Sequence, residues 1–124
     1  MSDDPAPGLD DAALQRLRDL DPTGKNHLLE RVMAAFESSS LRMSAQLAEA
    51  RKTDDHDAIR LVAHTLKSSA ASIGALELAR LCAEIEAQVR STEQAGLIGR
   101  LDAMDRELHV VLQMVRPMLK SPPR

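Results

Sequence analysis

The stretch Asp55-His56-Asp57-Ala58-Ile59-Arg60-Leu61-Val62-Ala63-His64-Thr65-Leu66-Lys67-Ser68-Ser69-Ala70-Ala71-Ser72-Ile73-Gly74 decides how the chain is read. Ile59, Val62, Ala63, Leu66, Ala70 and Ile73 recur every three or four positions, the spacing of one buried face of an α-helix. Asp55 and Asp57 suit the positive end of a helix dipole. Thr53, Asp54 and Asp55 form a short connection of capping residues, and Gly74 marks the expected stop. The pattern predicts a helix over about 55–73.

The same period continues on both sides. A first helix is expected from about Leu9 to Leu20, with Ala13, Leu14, Leu17 and Leu20 on one side. Asp21-Pro22-Thr23-Gly24 ends it as a turn. A second is expected over about 25–52, with Leu28, Val32, Phe36, Ser39, Met43, Leu47 and Ala50 facing inward. Within it, Ser38-Ser39-Ser40 is a candidate bend. A fourth, about 75–90, buries Leu78, Leu81, Cys82, Ile85 and Val89. A fifth, about Gln94 to Met118, buries Leu97, Leu101, Met104, Leu108, Val111, Leu112 and Val115, and Pro117 weakens its last turn. Short links between long amphipathic helices predict an all-α, up-down antiparallel four-helix bundle with a short extra N-terminal helix. The bundle is expected over 9–119, between a flexible lead at 1–8 and a flexible tail at 120–124.

Composition narrows the function. The 124 residues contain one Phe and neither Trp nor Tyr, so the stacking platforms of single-strand and RNA binding are missing. Lys and Arg total 16 against 19 Asp and Glu, which leaves no basic excess for a nucleic-acid backbone. One Cys excludes an internal disulfide and a Cys-rich zinc site. No apolar run is long enough to cross a bilayer, and the N-terminus does not read as a signal peptide. A cytoplasmic protein that binds neither nucleic acid nor membrane is expected.

One residue of the central stretch stands off its core face. With Ile59 at zero on a helical wheel, His64 falls about 140° round, on the solvent side. Arg60 and Lys67 fall near about 100° and 80°, and Ser68 and Ala71 near about 180° and 120°. Cations beside an imidazole favour its neutral, nucleophilic form and attract a phosphoryl group. Small residues at i+4 and i+7 leave room for a partner protein. Spacing alone also fits an ordinary solvated face carrying one of the four histidines.

The run from Ala63 to Ala75 resembles the signature of histidine-containing phosphotransfer (HPt) domains: His, any, Leu, Lys, Gly, Ser, then small residues and a hydrophobic-Gly pair. Leu78-Ala79-Arg80-Leu81-Cys82-Ala83-Glu84-Ile85-Glu86 is similar to the family's next helix. The resemblance implies that His64 accepts a phosphoryl group from an aspartyl phosphate and passes it to another aspartate. Lys67 would support the phosphoryl charge, with Arg60 and Ser68 beside it. The partners would be receiver domains of response regulators and of a hybrid sensor kinase, and any Mg²⁺ would belong to the receiver. The chain itself would need no cofactor or metal and would have no autonomous kinase or hydrolase activity. A free-standing monomeric carrier is expected rather than a piece of a hybrid kinase.

Two positions depart from the family pattern. Ser68 stands where Gly is usual. Glu86 stands where many members have Gln, and it reads equally as an acceptor for the His64 Nδ1 hydrogen or as a surface partner of Arg90. Leu14, Leu17 and Leu61, with Ala71 and Arg90, are candidates for partner docking; the three Leu also fit a seal on the bundle end. Cys82 and the Met residues read as core. His27, His56 and His109 share no ligand spacing. The rival readings are a non-phosphorylated helical adaptor that binds receiver domains, and a hydrolytic enzyme, for which the sequence offers no triad.

Overall fold

A computed structural model describes residues 4–91 and 95–119. Five α-helices follow one another: α1 (Asp11–Asp19), α2 (Leu28–Lys52), α3 (His56–Ser72), α4 (Leu76–Arg90) and α5 (Leu97–Leu119). No strand occurs among the described residues. Helices α2 to α5 close a ring, each packed on its two neighbours, and α1 packs on α2. The expected all-α bundle with a short additional N-terminal helix is what forms.

Capping sets the helix starts. Asp10 and Asp55 each accept a backbone N–H three residues ahead, from Ala13 at 3.0 Å and Ala58 at 3.1 Å. Helix α2 starts at Leu28, later than the position near Lys25 that the periodicity predicts. Its cap is remote: Asp21 accepts from the Leu28 N–H at 3.1 Å and the Asn26 N–H at 3.3 Å, which holds residues 21–27 as a loop. Helix α5 begins at Leu97; the expected start near Gln94 falls outside the described residues.

Gly74 ends α3 with φ +80° and fixes how α1 sits. A Cβ at Gly74 would lie 2.5 Å from that of Ala13 and 3.3 Å from the Asp10 carbonyl. The Asp10 N–H donates to the Gly74 carbonyl at 2.8 Å. The α3–α4 turn is therefore the seat of α1.

The core of α3 is as expected, with Ile59, Val62, Ala63, Leu66, Ala70 and Ile73 all buried. On α2 the buried face is Met33, Phe36, Ser40, Met43, Leu47 and Ala50. Ser40, not Ser39, points inward, and Leu28, Val32 and Ser39 are only half-buried. The three serines do not break α2, because Ser40 satisfies its hydroxyl on the Glu37 carbonyl at 3.1 Å. Val89 is half-buried, while Cys82 is fully buried. Helix α5 runs through Pro117 to Leu119.

Two contacts join the expected lead to the bundle. Asp4 pairs with Arg80 at 3.5 Å, and Gly8 is buried and donates its N–H to the Glu107 carboxylate at 2.7 Å. Residues 1–3 and the tail expected at 120–124 lie outside the described part. No helix among the described residues is long and apolar enough to cross a membrane.

Candidate functional site

His64 projects from the middle of α3 with its side chain 55% exposed. Its neighbours Val62, Ala63 and Leu66 are buried, so the core stripe fixes the rotation of α3 and turns residue 64 outward. Across the α3–α4 contact, Glu86 is 5% exposed although it is charged. A carboxylate taken out of water needs partners. Glu86 has three: His64 Nδ1 lies 2.8 Å from Oε2, Lys67 Nζ donates to Oε1 at 2.7 Å, and Arg90 Nη2 donates to Oε2 at 3.3 Å.

These contacts favour one placement of the proton on the ring. The bond from Lys67 holds the Glu86 carboxyl below its ordinary pKa; burial opposes this, and the bond from His64 adds to it. An ionised carboxylate only accepts, so Nδ1 carries the hydrogen. In its neutral form the ring then has its lone pair on Nε2, which has no hydrogen-bond partner among the described residues. The arrangement leaves an exposed ring nitrogen on an imidazole oriented by a buried carboxylate.

Of the two uses the sequence left open for Glu86, the fold makes both. It accepts from the ring and it pairs with Arg90. Arg60 lies one turn before His64, half-buried, and makes no hydrogen bond or ion pair with any described residue. Lys67 is 35% exposed and bound to Glu86. Ser68 is exposed, but its hydroxyl does not bond the imidazole; its carbonyl accepts from Ser72 Oγ at 3.0 Å. Beneath the site, burial pushes the Cys82 thiol up to about 12, so it is inert packing.

The docking candidates separate. Leu61 is 59% exposed, and it borders a groove of about 380 Å³ shared with Gln46, Ala50, Thr53, Ala58 and Val62. Ala71 and Arg90 are exposed and Leu17 is half-buried. Leu14 is not a surface residue: it is 4% exposed and belongs to the core that α1 seals, because the seat on Gly74 turns this side of α1 inward. His27, His56 and His109 each have a separate neighbour, Glu30, Asp54 and Gln113. Among the described residues no cluster of His, Cys, Asp or Glu is placed to hold a metal ion.

The chain matches the solved structure of histidine-containing phosphotransfer protein B (HptB) from Pseudomonas aeruginosa PAO1. The TM-score is 0.78 at 26% identity, over 91% of this chain and 95% of that one. It also matches a rice protein solved as a candidate histidine-containing phosphotransfer protein, with TM-score 0.75 and 22% identity over 90% and 82% of the two chains. That second likeness speaks for the fold alone. No curated protein sequence matches the chain significantly. The Hpt domain model covers residues 31–115, which hold α3, α4 and the whole His64 cluster. The chain therefore belongs to the Hpt domain family, the phosphocarriers of histidine phosphotransfer.

Proposed function

We propose that this chain is a cytoplasmic phosphocarrier that takes a phosphoryl group from an aspartyl phosphate of one receiver domain onto His64 Nε2 and delivers it to an aspartate of another. The observation that carries the reading is an exposed imidazole whose Nδ1–H is held by a buried carboxylate. In the transfer the Nε2 lone pair forms the N–P bond while the P–O bond to the aspartate breaks. The aspartate leaves with that electron pair as a carboxylate. The ring keeps its Nδ1 hydrogen and becomes positive, and Glu86 sits against that charge. The second transfer reverses these events on a new aspartate.

Lys67 and Arg60 supply positive charge beside the phosphoryl oxygens, whose charge spreads in a loose transition state. The exposed Leu61, Ala71 and Arg90 and the half-buried Leu17 offer the receiver a mixed apolar and cationic surface. The receiver brings its own Mg²⁺, and no residue here is assigned to it. The chain turns over nothing by itself and works as a monomer.

The test is transfer from a labelled receiver. Wild type gains acid-labile, base-stable phosphate, and His64→Gln gains none. Equal labelling of the two sinks the proposal, and no labelling of either leaves the adaptor reading.

A further inference from the structure

Three cations surround His64, but they are not equivalent. Lys67 and Arg90 both spend their charge on Glu86, at 2.7 and 3.3 Å. Arg60 alone has no carboxylate among the described residues. Its place at i−4 puts its Cβ about 5–6 Å from that of His64 on the same face of α3. Half-burial keeps its stem against the protein and limits its reach. The carboxylate also divides its work: Oε2 serves the ring and Arg90, whereas Oε1 serves Lys67. Lys67 can leave Oε1 without disturbing the bond that orients the imidazole.

We propose that Arg60 is the residue that first receives the incoming phosphoryl anion, and that Lys67 is parked on Glu86 until the N–P bond begins to form. As the ring becomes positive, Glu86 gains a charged partner in His64 and no longer needs the ammonium. Lys67 then turns to the phosphoryl oxygens. Arg60 thus governs capture, and Lys67 governs the chemical step. This division of labour rests on the phosphocarrier reading above.

A small phosphodonor separates capture from protein docking. Phosphoramidate transfers its phosphoryl group to Nε2 as the P–N bond breaks and ammonia leaves with the electron pair. Initial labelling rates are measured against phosphoramidate concentration for wild type, Arg60→Gln, Arg60→Lys, Lys67→Gln and His64→Gln. Arg60→Gln is expected to raise KM roughly five- to tenfold with kcat nearly unchanged, since one charge-assisted contact is lost from the bound anion. Arg60→Lys restores KM to within about twofold, because a cation at this place suffices for capture. Lys67→Gln lowers kcat and spares KM. Circular dichroism checks that the variants fold.

A wild-type KM in Arg60→Gln, or a lysine variant as impaired as the glutamine one, overturns the assignment while leaving the phosphocarrier intact. So does a Lys67→Gln variant that loses KM instead of kcat. Labelling of His64→Gln at the wild-type rate removes the phosphocarrier reading and this inference with it, and no labelling of wild type removes this inference alone.

Discussion

Glu86 and Glu107 are almost equally buried, at 5% and 7% exposure, yet their surroundings push them in opposite directions. Glu86 on α4 is held by an ammonium, an imidazole N–H and a guanidinium, and its pKa lies below the ordinary 4.5. Burial drives the pKa of Glu107 on α5 above 4.5; among the described residues it accepts only the Gly8 backbone N–H, which opposes the shift, and the nearby Glu77 carboxylate repels it. The partners differ in one further way. His64, Lys67 and Arg90 are 55%, 35% and 64% exposed and can all turn to water if Glu86 is lost. The Gly8 N–H is buried and cannot. One carboxylate therefore organises chemistry at a wet surface, and the other fastens the chain's N-terminal segment.

The sharpest way to break this contrast is to truncate both side chains. Glu86→Ala frees the imidazole to change tautomer and releases Lys67. Phosphotransfer to His64 is expected to fall about 10- to 100-fold, the usual cost of losing the partner that orients a working histidine. Its folding stability should move by about 1 kcal/mol or less, since its partners rehydrate. Glu107→Ala is expected to do the reverse. The orphaned Gly8 N–H and the lost packing cost about 2 kcal/mol in denaturant unfolding, while the transfer rate of the folded protein is unchanged. Equal rate losses in the two variants would end the distinction.

The strap end of the Glu107 contact offers a second check. Gly8 sits at φ +83°, and a Cβ there would run into the Met114 sulfur. Gly8→Ala is expected to lower stability by about 1–2 kcal/mol. Combined with Glu107→Ala it should add less than the sum, since both act on one contact. Strict additivity in a double-mutant cycle would show that strap and carboxylate are independent.

The two regions also differed in how far the sequence revealed them. Arg60, His64 and Lys67 lie within one helix, so the wheel places them on a common face without tertiary information. Glu86 was legible as a candidate from the resemblance, as the residue that stands where many members have Gln, but its dual bonding to ring and Arg90 depends on the α3–α4 distance, which spacing does not encode. Leu14 fitted both a docking patch and a seal on the bundle end, because α1 is short and only the Gly74 seat decides which of its sides is covered. Ser40 displaced Ser39 through a one-residue offset of the α2 stripe. Glu107 was missed, although a signal existed: it lies three residues after Met104 and four before Val111, both buried. A charge at a core-facing position called for a buried partner, and nothing local pointed to Gly8, 99 residues away.

The smallest expected effect tests the charge itself. Glu86 contributes stability that is present above pH 4.5 and is lost as pH falls through its lowered folded value. Glu107 has the opposite sign. The folded chain binds its proton more tightly than the unfolded chain does, so its contribution is complete below pH 4.5 and is lost as pH rises through the raised value. Glu107→Gln removes that titration and keeps an oxygen to accept the Gly8 N–H. Urea midpoints measured from pH 4.5 to 7 should therefore decline less for the variant than for wild type. At neutral pH the variant should be the more stable by about 0.5 kcal/mol, because the desolvated charge is gone and the new amide hydrogens offset only part of the gain. Parallel curves for the two proteins would mean that Glu107 is not held as a strained carboxylate, and that its contrast with Glu86 is one of position alone.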